Sequence, residues 1–174
     1  GRICPALCEK SCVLKLSADE PVTIRENEAA IIEVAFREGY VRPVQPKRNG
    51  MKVAVVGSGP AGLAAANRLN RMGYTVTVFD KHEAAGGLLR FGIPNFKLNK
   101  AIIDRRIRLM ETEGIIFEYN REIKTDKLPA GFKAYCLCTG AETPRDLPIP
   151  GRELKGIHFA LDMLAQQNRI LAGQ

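Results

Sequence analysis

The segment Val53-Ala54-Val55-Val56-Gly57-Ser58-Gly59-Pro60-Ala61-Gly62 is followed directly by an alanine-rich stretch. A short apolar strand, a glycine turn and the first turn of a helix in this order are typical of a dinucleotide-binding unit. Gly57 permits the tight turn, Gly59 lets a phosphate approach the backbone, and Gly62 lets helix and strand pack closely. The free N–H groups and the positive end of the helix dipole would face a pyrophosphate.

An acidic residue stands where such a unit needs one. Asp80 follows the apolar run Tyr74–Phe79 and lies 18 residues after Gly62. An acid at the end of the second strand holds a ribose hydroxyl in dinucleotide-binding folds. Strand, turn, helix, strand and acid in this register predict a bound dinucleotide. A glycine turn that binds nothing is the alternative.

A second glycine pair, Gly86-Gly87, follows soon after Asp80 and opens a stretch with little periodicity. A nicotinamide dehydrogenase normally continues at this point with another helix and strand. Glycines let backbone lie close to a flat ligand, which favours a cofactor contact here. An ordinary surface loop is the other interpretation.

The segment Gly86–Lys100, Gly-Gly-Leu-Leu-Arg-Phe-Gly-Ile-Pro-Asn-Phe-Lys-Leu-Asn-Lys, resembles the small subunit of bacterial glutamate synthase and its flavoprotein relatives. The resemblance extends from Gly1-Arg2-Ile3-Cys4-Pro5 through Leu147–Gly151 and into the tail. It implies that the first glycine motif binds FAD rather than NADPH, and that Gly86–Leu89 runs beside the flavin.

The same resemblance implies roles for single residues. Asp80 takes the place of a ribose-binding glutamate, and its side chain is one carbon shorter than that glutamate's. Lys81 and Leu88 match flavin-contacting positions. Lys97 matches a basic residue near the cofactor, and Ile123 matches a backbone contact to the adenine. The predicted cofactor-binding residues are therefore Gly57, Ser58, Gly59, Pro60, Ala61, Gly62, Asp80, Lys81, Gly87, Leu88, Lys97, Ile123, Thr139 and Gly140.

Three cysteines, Cys4, Cys8 and Cys12, recur at a spacing of four. Thiolates at such spacing are suited to an iron–sulfur cluster, and the pattern is not that of a zinc ribbon. The residues alone leave cluster ligation and unremarkable thiols equally open. A disulfide framework is not expected from an odd number of cysteines without a secretory signal.

The resemblance assigns this spacing to a site for two [4Fe–4S] clusters, with further cysteines supplied by a segment upstream of Gly1. Glu28 aligns near a position where some relatives use a non-cysteine ligand, and a solvated helix glutamate is the alternative. The predicted metal ligands are Cys4, Cys8, Cys12 and Glu28. Because three thiolates cannot complete two four-ligand sites, we expect remnants of a cluster site, empty in this chain.

The other two cysteines, Cys136 and Cys138, stand at alternate positions of a predicted strand and share one face of it. In a parallel sheet covered on both sides they are expected to be small buried hydrophobes rather than a redox pair.

The predicted fold is α/β, a parallel Rossmann-like FAD-binding domain preceded by a short helical cysteine-rich segment. A helix is expected over residues 23–38, and buried strands over 52–57, 75–79, 115–119 and 133–138. Asn99 is expected to cap a helix that ends at Glu113. The predicted domains are residues 1–40 (the end of an iron–sulfur helical domain), 41–50 (a linker with two prolines), 51–151 (the FAD-binding domain) and 152–174 (a connection toward a missing NADPH domain).

The sequence contains no recognisable catalytic acid, base or nucleophile, and His82 and His158 are expected to be structural or exposed. The resemblance implies a parent enzyme, NADPH-dependent glutamate synthase, whose small subunit passes electrons from NADPH through FAD and [4Fe–4S] clusters to a large subunit that makes glutamate. This chain alone is expected to be inactive. An NAD-binding dehydrogenase domain is one alternative. The other is a non-catalytic docking module that uses Cys4–Cys12 and Thr23–Glu38.

The net charge of +7 is spread along the chain, and aromatic residues make up only 6%. No nucleic-acid partner is therefore expected. No apolar run approaches the length of a membrane span, and no signal peptide is recognisable, so a cytoplasmic location without membrane contact is predicted. The first methionine is Met51, which indicates either a piece of a longer protein or a chain that carries the remnant of a tag.

Overall fold

The structure is a computed structural model that describes residues 1–124, 126–141 and 143–173. It divides into two compact units, Gly1–Arg42 and Pro43–Gln174. Residue 174, the end of the predicted connection, lies outside the described residues.

The first unit is helical. It contains α1 (Leu7–Lys10), α2 (Lys15–Ala18) and α3 (Ile24–Arg37). The sequence gave no bounds for the two one-turn helices, which lie in the predicted cysteine-rich segment. The predicted long helix is confirmed, and it ends at Gly39, whose φ of 70° suits a glycine. Ala6 is the one buried apolar residue of this unit, so the three helices enclose almost no core.

The second unit contains a four-stranded sheet, and all its strand pairs are parallel. The strands are β1 (Lys52–Val56), β2 (Thr75–Phe79), β3 (Ile116–Glu118) and β4 (Ala134–Leu137). Their order across the sheet is β3-β2-β1-β4. The predicted α/β class with a parallel sheet is confirmed.

Four helices belong to the same unit: α4 (Pro60–Arg71), α5 (Leu88–Phe91), α6 (Lys100–Thr112) and α7 (Ala160–Leu171). The start of α6 was correctly predicted, because the side-chain oxygen of Asn99 accepts a hydrogen bond of 2.9 Å from the Ala101 amide. Helix α5 is too short for a periodic pattern and was not predicted. Helix α7 packs against α5.

The core lies between the sheet and helices α4 and α6. Val55, Val76 and Val78 contribute from the two central strands, and each is at most 1% exposed. Met110 is fully buried beside them in the same apolar cluster. The apolar strands therefore behave as strands of a parallel sheet covered by helices.

Strand β4 is less buried than the sequence indicated. A buried strand over 133–138 was expected, but Leu137 is 56% exposed, and Cys136 and Cys138 are half-buried. The reason is positional, since within the described residues β4 has a strand partner only on the β1 side. The prediction of buried cysteines was wrong.

Residues 43–50, which the sequence indicated as part of a linker, belong to the second unit and are hydrogen-bonded to the rest of it. The Arg48 guanidinium donates hydrogen bonds of 2.6 Å to Asn70 Oδ1 and to the Tyr74 carbonyl, and one of 3.0 Å to the Glu113 carbonyl. The Asn49 amide donates to the Gly73 carbonyl at 2.9 Å. These bonds fix the entry of the chain into β1.

Within the part of the chain that the structure describes, no helix has the length and apolar character needed to cross a membrane.

Candidate dinucleotide site

The glycine turn after β1 has no room for side chains at two positions. Gly57 has a φ of 100°, and a Cβ there would lie 2.3 Å from the Cys138 carbonyl oxygen. A Cβ on Gly62 would lie 1.8 Å from the Gly57 carbonyl oxygen. Since real atoms do not approach so closely, α4 can lie this near β1 and β4 only because both residues are glycine. These are the roles that the sequence indicated.

Gly59 differs from its neighbours, because no atom lies within 4 Å of the place where its Cβ would be. Its φ of −66° and ψ of −179° are open to any residue, and it forms the N-cap of α4. Pro60 occupies the first helical position, where its missing N–H costs nothing. The open space beside Gly59 lies at the helix end where unpaired N–H groups and the dipole favour an anion.

A buried hydrogen-bonded contact between Ser58 and Asp80 supports the glycine turn. Ser58 is fully buried and Asp80 is 7% exposed. One carboxylate oxygen of Asp80 accepts from the Ser58 amide at 2.7 Å and also from the Ser58 hydroxyl. The other accepts from the His82 amide at 2.9 Å. Three of the roughly four acceptor positions of the carboxylate are thus occupied by the protein itself.

The second glycine pair lies against the first turn. The Gly86 amide donates to the Ser58 carbonyl at 3.0 Å and to its hydroxyl at 3.3 Å. Gly87 has a φ of 50°, and a Cβ there would lie 2.8 Å from the Gly59 Cα. The two glycine segments, separated in sequence, therefore form one surface.

The remaining predicted residues lie around this surface or beyond it. Leu88, the first residue of α5, is 54% exposed, and Lys81 is exposed directly after Asp80. Thr139 and Gly140 are exposed and follow Cys138, whose carbonyl adjoins Gly57.

Ile123 and Lys97 are connected to the turn less directly. The Arg121 amide donates to the Asp80 carbonyl at 2.8 Å, which brings the segment that leads to Ile123 alongside Asp80. Ile123 is half-buried. Lys97 is exposed in the turn before α6, where its amide donates to the Pro94 carbonyl at 3.0 Å.

A cavity of about 390 Å³ lies near α5, and no local sequence pattern indicates it. The Lys100 ammonium group donates to the carbonyls of Leu89, Ile93 and Leu98, and burial lowers its pKa. Asn168 of α7 is 7% exposed and donates to the Phe91 carbonyl at 3.0 Å. These bonds hold α5 in place, and with it the Gly86-Gly87 turn that precedes it.

The three amino-terminal cysteines do not converge. Cys4 and Cys8 are exposed and Cys12 is half-buried, all as free thiols. Hydrogen bonds from the backbone of Val22, and secondarily of Leu14, lower the pKa of Cys12. The Glu28 carboxylate lies 3.0 Å from the Gly1 amino group.

A search of the described residues found no group of three or more cysteine, histidine or acidic side chains that could hold a metal ion. A [4Fe–4S] cluster needs four ligands around it. Cys4, Cys8, Cys12 and Glu28 are not gathered in this way, so as arranged in this chain they do not fit a complete cluster.

The parallel sheet, the glycine turn and the acid after β2 define a Rossmann-like dinucleotide-binding domain of the oxidoreductase class. The family model for the NAD(P)-binding Rossmann-like domain matches residues 55–117. Among solved structures, Mycobacterium tuberculosis FprA in complex with NADPH superposes with a TM-score of 0.60 at 25% identity, covering 68% of this chain and 29% of that chain.

Curated relatives specify the family. The small chain of NADPH glutamate synthase from Bacillus subtilis is 53% identical over 94% of this chain. The corresponding protein of Mycobacterium tuberculosis is 51% identical over 99% of it. The chain belongs to the glutamate synthase small-chain family, an oxidoreductase family, as the sequence indicated. It spans 34% and 36% of the length of these two relatives.

Proposed function

We propose that this domain binds FAD, with the pyrophosphate at the Gly57–Gly62 turn, and that it forms the flavin-binding part of a glutamate synthase small-chain oxidoreductase. The single observation that carries the proposal is the open space at Gly59, at the start of α4, where both neighbouring glycines are closed to a side chain. A turn whose backbone is tightly packed at Gly57 and Gly62 and open at Gly59 suits a phosphate.

The second glycine turn favours FAD over a nicotinamide cofactor. Gly87 lies so close to Gly59 that a side chain on it would overlap the Gly59 Cα. A dinucleotide on the first turn would therefore continue across backbone at Gly86-Gly87 rather than across side chains. A flat ring system such as isoalloxazine can lie close to such a surface.

The protein residues in this proposal bind and orient. Asp80 has about one acceptor position left for a ribose hydroxyl. Lys81, Leu88, Lys97, Ile123, Thr139 and Gly140 would line the cofactor, as the family resemblance implies. FAD, when bound, supplies the hydride and single-electron chemistry, and the protein supplies position and electrostatics.

The wider role is part of the same proposal. The parent protein would take reducing equivalents from NADPH and pass them through iron–sulfur clusters to a large synthase subunit. The names of the relatives support this role. NADPH binding, [4Fe–4S] clusters completed by cysteines outside this chain, the large-subunit partner and a cytoplasmic location all belong to the parent. The part of the chain present here would contribute the flavin site alone.

A titration with three dinucleotides tests the proposal. FAD, NAD and NADPH are added separately to the purified chain, and binding is followed by calorimetry and by quenching of flavin fluorescence. We expect saturable binding of one FAD per chain and much weaker binding of the other two. Preferential binding of NAD or NADPH would instead support the nicotinamide assignment, which the description of the matching family model favours.

The Gly59→Ala variant links binding to the turn. Its methyl group enters open space, so the fold is expected to remain intact while the phosphate is blocked. We expect FAD affinity to fall by about 100-fold or more, since close approach of the backbone is lost. Gln166→Ala, on the exposed side of α7, is the matched control. Unchanged FAD affinity in Gly59→Ala would contradict the proposed position of the pyrophosphate.

A further inference from the structure

Cys136 lies in β4 and Cys138 directly follows it, and their two thiols form a close pair. Their Sγ atoms lie 3.6 Å apart and both thiols are free. Both side chains are half-buried and pack against the apolar core cluster. The family assignment and the proposed flavin site make no use of either thiol.

The separation of the two sulfur atoms suits a single thiophilic centre. Two sulfur atoms bonded at about 2.3 Å to one tetrahedral zinc ion lie about 3.8 Å apart, and the smaller bond angle at pyramidal trivalent arsenic brings them somewhat closer together. The observed 3.6 Å is close to that value without rearrangement of the strand. The Cys138 amide donates to the Val56 carbonyl at 2.7 Å, so the pairing with β1 continues one residue past β4 and both cysteine side chains lie on the same face.

The number of coordinating side chains decides which kind of molecule or ion this pair can bind. A structural zinc site needs four protein ligands, and among the described residues no third cysteine, histidine or acidic group joins this pair. A trivalent organoarsenical brings its own third substituent and requires only two thiols. We propose that Cys136 and Cys138 form a dithiol site that captures trivalent arsenicals.

The capture reaction is balanced and involves no oxidation. Phenylarsine oxide, the probe, loses its As–O bonding and forms two As–S bonds. Both S–H bonds break, and the two protons leave with the oxygen as one water. Because the reaction starts from neutral thiols, it is compatible with burial, which together with the Cys136 hydrogen bond raises the pKa of Cys138 to about 11.

The dithiol site adjoins the Gly57–Gly62 turn, where the cofactor is proposed to bind. The Cys138 amide donates to the Val56 carbonyl at 2.7 Å, and the Cys138 carbonyl occupies the space that a Gly57 side chain would need. The Cys138 Cβ also lies 3.4 Å from the place of a Gly62 Cβ. A bulky adduct is therefore expected to shift the turn and to weaken FAD binding, an effect that rests on the proposed function.

Peptide mapping tests the capture on the unaltered chain. The reduced protein is incubated with phenylarsine oxide, and the free thiols are then alkylated, digested with trypsin and identified by mass spectrometry. Both cysteines of the pair fall in the tryptic peptide 134–145, whereas Cys4, Cys8 and Cys12 fall in other peptides. We expect peptide 134–145 to be protected at both cysteines with one arsenical bound.

Two controls separate a built site from ordinary thiol chemistry. Cys136→Ser and Cys138→Ser each leave one thiol, and we expect protection to require about 100-fold more arsenical in either variant, since chelation is lost. The synthetic peptide 134–145 is expected to bind more weakly than the folded chain, because its thiols are not held in place. Full alkylation of the pair in the folded chain, or equal affinity of a single-thiol variant or of the peptide, would overturn the proposal.

FAD titration of the arsenical adduct tests the effect on the turn. We expect about tenfold weaker FAD binding than in the unmodified chain. Capture with unchanged FAD affinity would refute this effect. Capture in a chain that binds no FAD in either form would refute the proposed function and leave the dithiol site standing.

Discussion

The Ser58 amide and hydroxyl both donate to the same carboxylate oxygen of Asp80, in a position almost closed to solvent. This contact joins the turn after β1 to the end of β2 across 22 residues of sequence. The Ser58 hydroxyl accepts in turn from the Gly86 amide, so one serine connects all three parts of the candidate site.

Replacing Asp80 should therefore cost stability before any cofactor is considered. In Asp80→Ala, the buried Ser58 donors lose their acceptor, and we expect the free energy of unfolding to fall by about 2–3 kcal/mol. Ser58→Ala should cost about 1 kcal/mol, because it removes only the hydroxyl. Denaturant unfolding of both single variants and of the double variant measures their coupling. Additive effects would show that the two side chains act independently.

The glycine turn offers a matched pair of substitutions. Gly62→Ala places a Cβ 1.8 Å from the Gly57 carbonyl oxygen, so α4 must move away from the sheet. We expect a loss of about 1–3 kcal/mol, the usual cost of overpacking. Gly59→Ala, in open space, should change stability by less than about 0.5 kcal/mol. Thermal unfolding of the two variants without cofactor compares them, and an equal loss would show that Gly62 is not a packing requirement.

Arg48 is expected to hold residues 43–50 against the domain. Arg48→Ala removes three hydrogen bonds from a charged donor and leaves the Asn70 side chain and two carbonyls without it. We expect destabilisation of about 2–3 kcal/mol and faster amide hydrogen exchange near Asn49. Arg68→Ala, at an exposed position of α4, serves as the control. Unchanged exchange in Arg48→Ala would mean that other contacts hold this segment.

The cysteines should differ in reactivity. Backbone hydrogen bonds lower the pKa of Cys12, whereas burial raises that of Cys138 to about 11. Because the thiolate is the nucleophile, iodoacetamide at about pH 8 should modify Cys12 at least tenfold faster. Time-resolved peptide mapping under reducing conditions measures both rates. Equal rates would indicate that β4 opens to solvent on the time scale of the reaction.

Tyr119 is expected to ionise only at a higher pH than an ordinary tyrosine. Burial raises its pKa to about 12, above the ordinary value of 10.0. The folded state thus keeps the phenol proton more tightly than the unfolded chain. The corresponding stabilisation is complete below about pH 10 and is lost as the pH rises toward 12. Ultraviolet titration of the chain and of Tyr119→Phe isolates this group, and a difference between the two curves with its midpoint near pH 10 would contradict the assignment.

Much of the domain follows from local patterns. The apolar runs before Gly57 and before Asp80 each fit one buried strand, and the glycine spacing fits the turn between β1 and α4. Asn99 marks the start of α6 through a capping bond made within three residues. Such features depend on neighbours in the sequence, so the sequence alone predicts them.

Other features depend on distant partners. Strand β4 has an apolar composition but a partly open position, because composition does not report how many neighbours a strand acquires in the sheet. Helix α5 is a single turn and leaves no periodic signal. No local pattern indicates a role for Lys100, because its ammonium group is surrounded by three carbonyls only in the folded chain.

The sequence by itself determined the order of the strands and the glycine turn suited to a dinucleotide, since both rest on local spacing and on residue type, and it indicated the family through the resemblance of its motifs. Only the tertiary structure decided that Gly87 lies close against Gly59 and that hydrogen bonds within the protein occupy most acceptor positions of the Asp80 carboxylate. It also decided that the Sγ atoms of Cys136 and Cys138 lie 3.6 Å apart. The physical reason is that close packing and hydrogen-bond saturation arise between segments far apart in the chain, where no local pattern specifies the distance.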